Sequence, residues 1–266
     1  MLQLTPSEAL ALVERVGAVA VLISSLEMLA RPGLFADAGL LSWSTEQLRA
    51  RWLTHGSLAR VLQVAFRPPA VLWIVGLRTA AATAVIASPR PHGVLVGAVA
   101  LTSLLLMLRN TYGNDGADQL GLITFVAASF AHLFTSPVVI AAVLWFLALQ
   151  GCLGYFTSGV AKLAGPRWRN GTGLVGVFET QTYGARTLSR MLREHPRLAV
   201  ASSWAVIVGE ALFPVTLVAP QPIALALLAF GASFHLGAAA VMGLNTFLWA
   251  FPATYPAIWY CAQSWR

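Results

Sequence analysis

The sequence predicts an all-α, polytopic integral membrane bundle of about seven spans (six to eight). One or two amphipathic helices are expected to lie in the membrane interface. Three observations predict this class. Of 266 residues, 58% are apolar and only 10% are charged, with a mean hydropathy of +0.72. A soluble domain carries about 25% charged residues, and a soluble fold of this length cannot hide so much apolar surface. Apolar runs of about 20 residues, the length that crosses a bilayer as a helix, recur along the chain. Pro137, Pro196 and Pro222 mark the starts of three of them. Disorder is excluded by the same apolar content. The net charge of +7 comes from scattered arginines, not a basic stripe on a polar face, which argues against a nucleic-acid partner.

The expected spans, in order, are 9–30, 69–88, 93–108, 119–135, 137–162, 198–219 and 222–243. Arg67-Pro-Pro opens the second, and Pro137, Pro196 and Pro222 sit at later starts, where a missing N–H costs nothing. An eighth run, 246–262, is interrupted by Pro252 and Pro256 and reads as re-entrant or as a short final span. Two connecting segments are longer than turns. In the first, Ser44 and Gln47 form a capping-box pattern. Leu48, Trp52, Leu53 and Leu58 then alternate with Arg49, Arg51 and Arg60, as in a helix lying among lipid headgroups. The second runs from Ala164 to Arg197, and its end, 187–194, reads as another interfacial helix. A single domain over 1–266 is expected, with no soluble C-terminal domain and no cleavable signal.

The lysine and arginine bias gives a topology. Segments 31–67, 109–118 and 164–197 share one side if seven spans cross, and together they hold 12 arginines. The bias therefore places them in the cytoplasm. Cys152 and Cys261 are 109 positions apart with no CxxC pattern, which points to two inert thiols. No metal-ligand spacing, phosphate loop or hydrolase elbow is present, and no metal is predicted.

Ionisable groups at membrane depth are costly and mark candidate sites. Lys162 ends the fifth span and is the chain's single lysine among 16 arginines. The plain reading is a lysine snorkelling to the interface. Against it, a lysine can act as a base once desolvated, whereas arginine cannot lose its proton. Gly154, Ser158 and Gly159 also permit close helix packing just before it. Glu210 lies within Trp204–Pro214, where a carboxyl must be paired or neutral. Its plain role is a hydrogen bond to a helix opened by Pro214. His235 lies late in the seventh span, and its plain role is a helix–helix hydrogen bond. Asp115 and Asp118 sit in a turn-like Gly-Asn-Asp-Gly run, and Asp118 can simply open the fourth helix. Glu14, Glu27, Arg78 and His132 are less specific, with Glu27 and Arg78 a candidate intramembrane pair.

Three blocks carry a family resemblance: Tyr155-x3-Gly159-x2-Lys162-Leu163 with Trp168-x2-Gly171; Glu210-x3-Pro214; and Phe234-His235 with Met242-Gly-Leu244 and Phe247. Together they resemble the HTTM domain, the membrane core of vitamin K-dependent gamma-carboxylases and of many bacterial proteins. In length the chain is most similar to the short bacterial type involved in maturing the sporulation-delaying peptide toxin, and Asn114–Gln119 also fits the bacterial branch.

The resemblance implies a multi-pass protein of a bacterial plasma membrane that uses a lipid quinol of the menaquinol or vitamin K hydroquinone type. Molecular oxygen would be the oxidant, with carbon dioxide a co-substrate where carboxylation is retained. Lys162 would be the base, on the external face, against the cytoplasmic side that the arginine count gives the segment following it. Glu210, His235, Tyr155 and Trp168 would bind the quinol, with Asp118 orienting it, and the substrate would be a peptide or small molecule. The chain departs from the carboxylases in two ways. It lacks their large lumenal region, and Gly116, Ala117 or Asp118 stands where they carry a functional histidine. The alternative is a non-catalytic membrane partner in toxin maturation or immunity, with Lys162 as an interfacial anchor. A third possibility is a small-solute transporter.

Overall fold

A computed structural model describes residues 3–49, 56–134 and 136–264, the side chain of Leu58 excepted. The described residues are helical throughout, with no strand among them. The α-helices are α1 (Pro6–Ala30), α2 (Trp43–Glu46), α3 (Ser57–Ala65), α4 (Ala70–Ala87), α5 (Gly93–Arg109), α6 (Gly116–Phe134), α7 (Pro137–Ala164), α8 (Pro166–Arg169), α9 (Thr172–Val177), α10 (Arg186–Glu194), α11 (Pro196–Ala211), α12 (Gln221–Met242), α13 (Asn245–Ala250) and α14 (Tyr255–Gln263). Five of them, α1, α4, α6, α7 and α12, are long and apolar enough to cross a membrane. This suits a membrane protein.

Two other expected spans differ from these five. α5 covers its expected run and is apolar, but at 17 residues it is a little shorter than the five. The run 198–219 does not stay one helix. α11 ends at Ala211, and a 3-10 turn over Phe213–Leu217 replaces it. Pro214 causes the break, because it has no N–H for the helical ladder and crowds the preceding turn. Thr216 then donates to the Phe213 carbonyl and holds the turn. Glu210, expected within a span, therefore sits in the last turn of a 16-residue helix. The run 246–262 resolves into α13, a 3-10 turn over Pro252–Thr254, and α14, its prolines again starting helical pieces.

The first interfacial helix is also revised. The helix near Ser44 is the short α2, capped by the backbone of Ser42, and Ser44 lies inside it. Ser42 Oγ bonds to Ser44 Oγ instead of to the helix backbone. Gln47 turns to the Ser44 carbonyl, so no capping box forms. Of the rest of that prediction, Leu48 and Arg49 lie in the turn after α2, Leu58 and Arg60 belong to α3, and Arg51, Trp52 and Leu53 lie outside the described residues. The helix expected over 187–194 is present as α10.

The chain forms two compact units, one of residues 1–9 and 144–266 and the other of residues 10–143. The second unit packs α4, α5 and α6 in succession, joined by short turns. Phe35, Val71, Val75 and Leu106 make its apolar centre. Several of its buried polar groups are paired internally. Arg109 is fully buried and donates to the carbonyls of Phe66 and Leu41 and to Asn110 Oδ1. Its guanidinium also lies 4.8 Å from the centre of the Phe35 ring, a cation–π contact. Glu14 and His132, 118 positions apart, meet at 2.7 Å. Arg78 donates to Ser25 and Ser24, and no ion pair with Glu27 exists among the described residues.

The first unit holds the candidate site. One face of α7, carrying Gly151, Tyr155, Ser158 and Lys162 at intervals of four, three and four, supplies much of it. α11, α12, α13 and the short helices α8 and α9 surround that face.

Candidate functional site

The site is built on close approach between helices. A Cβ at Gly159 would stand 2.5 Å from the Ala211 nitrogen and 2.9 Å from the Glu210 carbonyl carbon. Only a glycine lets α7 touch the backbone at the end of α11 there. Three residues further along α7, the Lys162 amine consequently meets Glu210. Nζ donates to Glu210 Oε2 at 2.7 Å and to Ser158 Oγ at 2.5 Å. Gly231 on α12 does the same for the other end. A Cβ there would collide with the Tyr255 hydroxyl and lie 2.9 Å from that of Tyr155. His235, one turn later on the same face, is thereby held against α7.

Glu210 keeps 3% of its side chain accessible and Lys162 keeps 17%. The pair is therefore mostly enclosed, with the amine on the open side. The Trp168 ring covers that side, its centre 5.2 Å from Nζ, close enough for a cation–π contact. Tyr155 is buried, stacks on Phe213 at 3.8 Å between ring centres, and shares a 2.7 Å hydrogen bond with the Tyr255 hydroxyl. His235 packs edge-on to Tyr155 and stacks on Phe251 at 4.6 Å. His235 is 3% exposed, yet neither ring nitrogen has a hydrogen-bond partner in the protein.

Lys162, Glu210, Ser158, Trp168, Tyr155, His235 and Phe251 line one cavity of about 530 Å³. Lys162, Glu210 and Ser158 form one polar patch in it, and His235 and Ser233 are the polar groups contributed by α12. The rest of the wall is apolar: Leu174, Val177 and Phe178 near α9, Val206 of α11, and Phe234, Val241, Met242, Leu244, Phe247 and Phe251 towards the C-terminus. A cavity of that size, mainly apolar with a few polar groups, is typical of a small-molecule site. It can hold a flat apolar ligand between rings, with a proton-transferring amine at one place and an imidazole free to donate or accept at another. Among the described residues no cluster of His, Cys, Asp or Glu could hold a metal ion.

Five of the six residues singled out from sequence, Lys162, Glu210, His235, Trp168 and Tyr155, line this cavity together. The sixth does not. Asp118 belongs to the unit of residues 10–143 and does not line the cavity. Its carboxylate accepts from the Asp115 N–H, while Asp115 Oδ1 accepts from the N–H groups of Ala117 and Asp118. That reciprocal arrangement caps the start of α6, so a helix-opening role replaces the orienting role.

Tyr255, Phe251 and Ser233 escaped the sequence reading. Phe251 and Tyr255 fall in the proline-broken C-terminal run, which has no helical period to follow. The helical spacing of Ser158 from Lys162, by contrast, could have identified it as a neighbour of the amine. The chain matches no family model, no curated protein and no solved structure with which it was compared.

Proposed function

We propose that the chain is a multi-pass protein of a bacterial membrane, a bundle of about seven spans resembling the HTTM core, and that its cavity is the active site of a quinol-dependent enzyme related to the gamma-carboxylases. One observation carries the reading: Lys162, Glu210, His235, Tyr155 and Trp168 line a single, mainly apolar cavity. The cavity fits a lipid quinol. Its aromatic walls suit a flat ring, and the two unpartnered nitrogens of His235 can hydrogen-bond a quinol oxygen. A bound quinol supplies the electrons, and molecular oxygen, which also dissolves in lipid, is the oxidant.

The protein's own part is proton handling. A base must be neutral before it acts, and here the amine faces a carboxylate. Passing a proton from Lys162 Nζ to Glu210 Oε2 leaves a neutral amine and a neutral acid, with no change in the net charge of the pair. An enclosed site tolerates that form well, because it avoids holding two charges away from water. The freed amine then takes a proton from a quinol hydroxyl. His235 holds the other oxygen, and the Trp168 ring lies over the ammonium that results. A bound quinol, oxidised by molecular oxygen, would supply the driving force for modifying a peptide or a small substrate.

Oxygen uptake by purified protein in nanodiscs containing reduced menaquinone or vitamin K tests this. Wild type should consume oxygen, and Lys162→Arg and Lys162→Ala should both lose uptake, since arginine keeps its proton. A second reading has its own observation. The amine is already occupied by Glu210 and Ser158, as a purely structural lysine in a maturation or immunity partner would be. Absence of uptake in wild type, together with normal cellular function of Lys162→Arg, would select that reading.

A further inference from the structure

We propose that the arginine-rich segment between α7 and α11 is a docking surface for anionic phospholipid headgroups. The inference rests on the membrane reading of the chain and is independent of the chemistry in the cavity. Arg167, Arg169, Arg186, Arg190, Arg193 and Arg197 are all exposed. Only two acidic residues share the segment, Glu179 and Glu194. Glu179 is committed to Arg193, whose Nε donates to its Oε1 at 2.5 Å. No ion pair involves the other five arginines among the described residues.

The arrangement on α10 is directional. Arg186, Arg190 and Arg193 recur at four and three residues, which stacks them on one face. Ser189 and Leu192 are buried on another. α10 also packs against α9 and α11, so the arginines are presented by ordered structure. Large apolar side chains lie exposed among them: Leu163, Tyr183, Met191 and Leu198. Exposed apolar groups mixed with guanidinium groups suit the boundary between acyl chains and headgroups, where arginine stems pack on the apolar layer and their heads reach phosphate.

Helix length places the segment at that boundary. At 1.5 Å per residue, the 28 residues of α7 extend about 42 Å, against a hydrocarbon core of about 30 Å. The end of α7 therefore reaches the headgroup layer. The arginines follow at once, and the apolar α11 begins at Pro196, directly after α10. A guanidinium fork binds a phosphate through two parallel hydrogen bonds, so the matching partner is a phosphodiester carrying net negative charge.

The test uses the full chain in nanodiscs of equal phosphatidylglycerol and phosphatidylcholine, with the retained lipids counted by native mass spectrometry. Wild type should retain phosphatidylglycerol in preference. Each arginine near a membrane surface contributes about fivefold, from about 1 kcal/mol. Arg186→Gln/Arg190→Gln/Arg197→Gln should therefore cut the preference by roughly a hundredfold. The same three positions changed to lysine should keep most of it, which separates charge from folding. Arg31→Gln/Arg90→Gln, two isolated arginines outside the cluster, should reduce it clearly less than the triple. An equal preference in wild type and the glutamine triple overturns the inference, as does an equal loss in the Arg31/Arg90 control. No preference in wild type also overturns it, and assigns the surface to an acidic protein partner instead. A chain that stays dispersed without lipid or detergent overturns the membrane reading as well.

Discussion

Removing either member of the Lys162–Glu210 pair should cost much more than removing both. Glu210 is 3% accessible and Lys162 17%, so solvent screens the pair little. Lys162→Met leaves a carboxyl facing apolar wall without its main donor. Breaking a buried pair in this way typically costs about 3–5 kcal/mol, and the low end applies here because the carboxyl can take up a proton. Glu210→Leu strands an ammonium that retains Ser158 and the Trp168 ring, so its cost should be smaller, about 2–3 kcal/mol. Lys162→Met/Glu210→Leu replaces both charges with apolar groups and should fall within about 1 kcal/mol of wild type. Additivity would predict about 5 kcal/mol or more for the double variant, so the coupling is on the order of 4 kcal/mol. Reversible unfolding in mixed micelles, followed by tryptophan fluorescence, measures all four corners. Singles within about 1 kcal/mol of wild type, or a double variant equal to their sum, would refute a buried ion pair. Lys162→Arg belongs in the same series. If it keeps stability and loses oxygen uptake, the amine's proton matters and its charge alone does not.

Three further outcomes are expected. Gly159→Ala should destabilise by about 1–3 kcal/mol, because its Cβ meets the backbone of Glu210 and Ala211; the same unfolding assay reads it, and unchanged stability would show that the helices do not touch there. His235→Leu should be neutral or stabilising by about 1 kcal/mol, since both buried nitrogens lack partners, while quinol-dependent oxygen uptake falls; clear destabilisation would reveal a protein hydrogen bond to the ring. The hydrogen bond from Arg193, aided by Ser189, holds the Glu179 carboxyl below the usual carboxylate range. The tie it provides is present above that usual range and is lost as pH falls through the lowered folded value, so amide protection in 178–194, corrected for the intrinsic exchange rate at each pH, should drop on acidification, and that drop should vanish in Glu179→Gln.

Much of this fold was legible because lipid is a simple solvent. Backbone groups there must be satisfied within a helix, so apolar length alone located α1, α4, α6, α7 and α12 to within a few residues. The same logic failed at 198–219, where composition stays apolar but Pro214 ends the helix, and hydropathy carries no record of a missing N–H. Within the site, Lys162 stood out as the one lysine among arginines, and Glu210 and His235 as ionisable groups in apolar runs. Their meeting was not legible. It depends on Gly159 and Gly231, two glycines among 22, and only the packed helices show which glycine a neighbour's backbone or hydroxyl occupies. Asp118 misled for the opposite reason. Its Asp-x-x-Asp spacing from Asp115 carries a local meaning, a helix cap, that needs no distant partner.

The paired geometry also weighs on what kind of lysine this is. A snorkelling lysine needs headgroups and water, and gains nothing from an acid buried on another helix. Here the acid is more deeply buried than the amine, and an apolar pair of similar volume would stabilise the same contact at least as well. Close by, an imidazole is enclosed among aromatic rings with both nitrogens unpaired, a further cost that packing alone does not require. Both costs face one cavity. A structural role accounts for either feature singly, through a misfit that the rest of the fold absorbs. Their convergence on a space large enough for a ring is what a ligand would resolve, by hydrogen-bonding the imidazole and drawing the amine's proton chemistry away from Glu210.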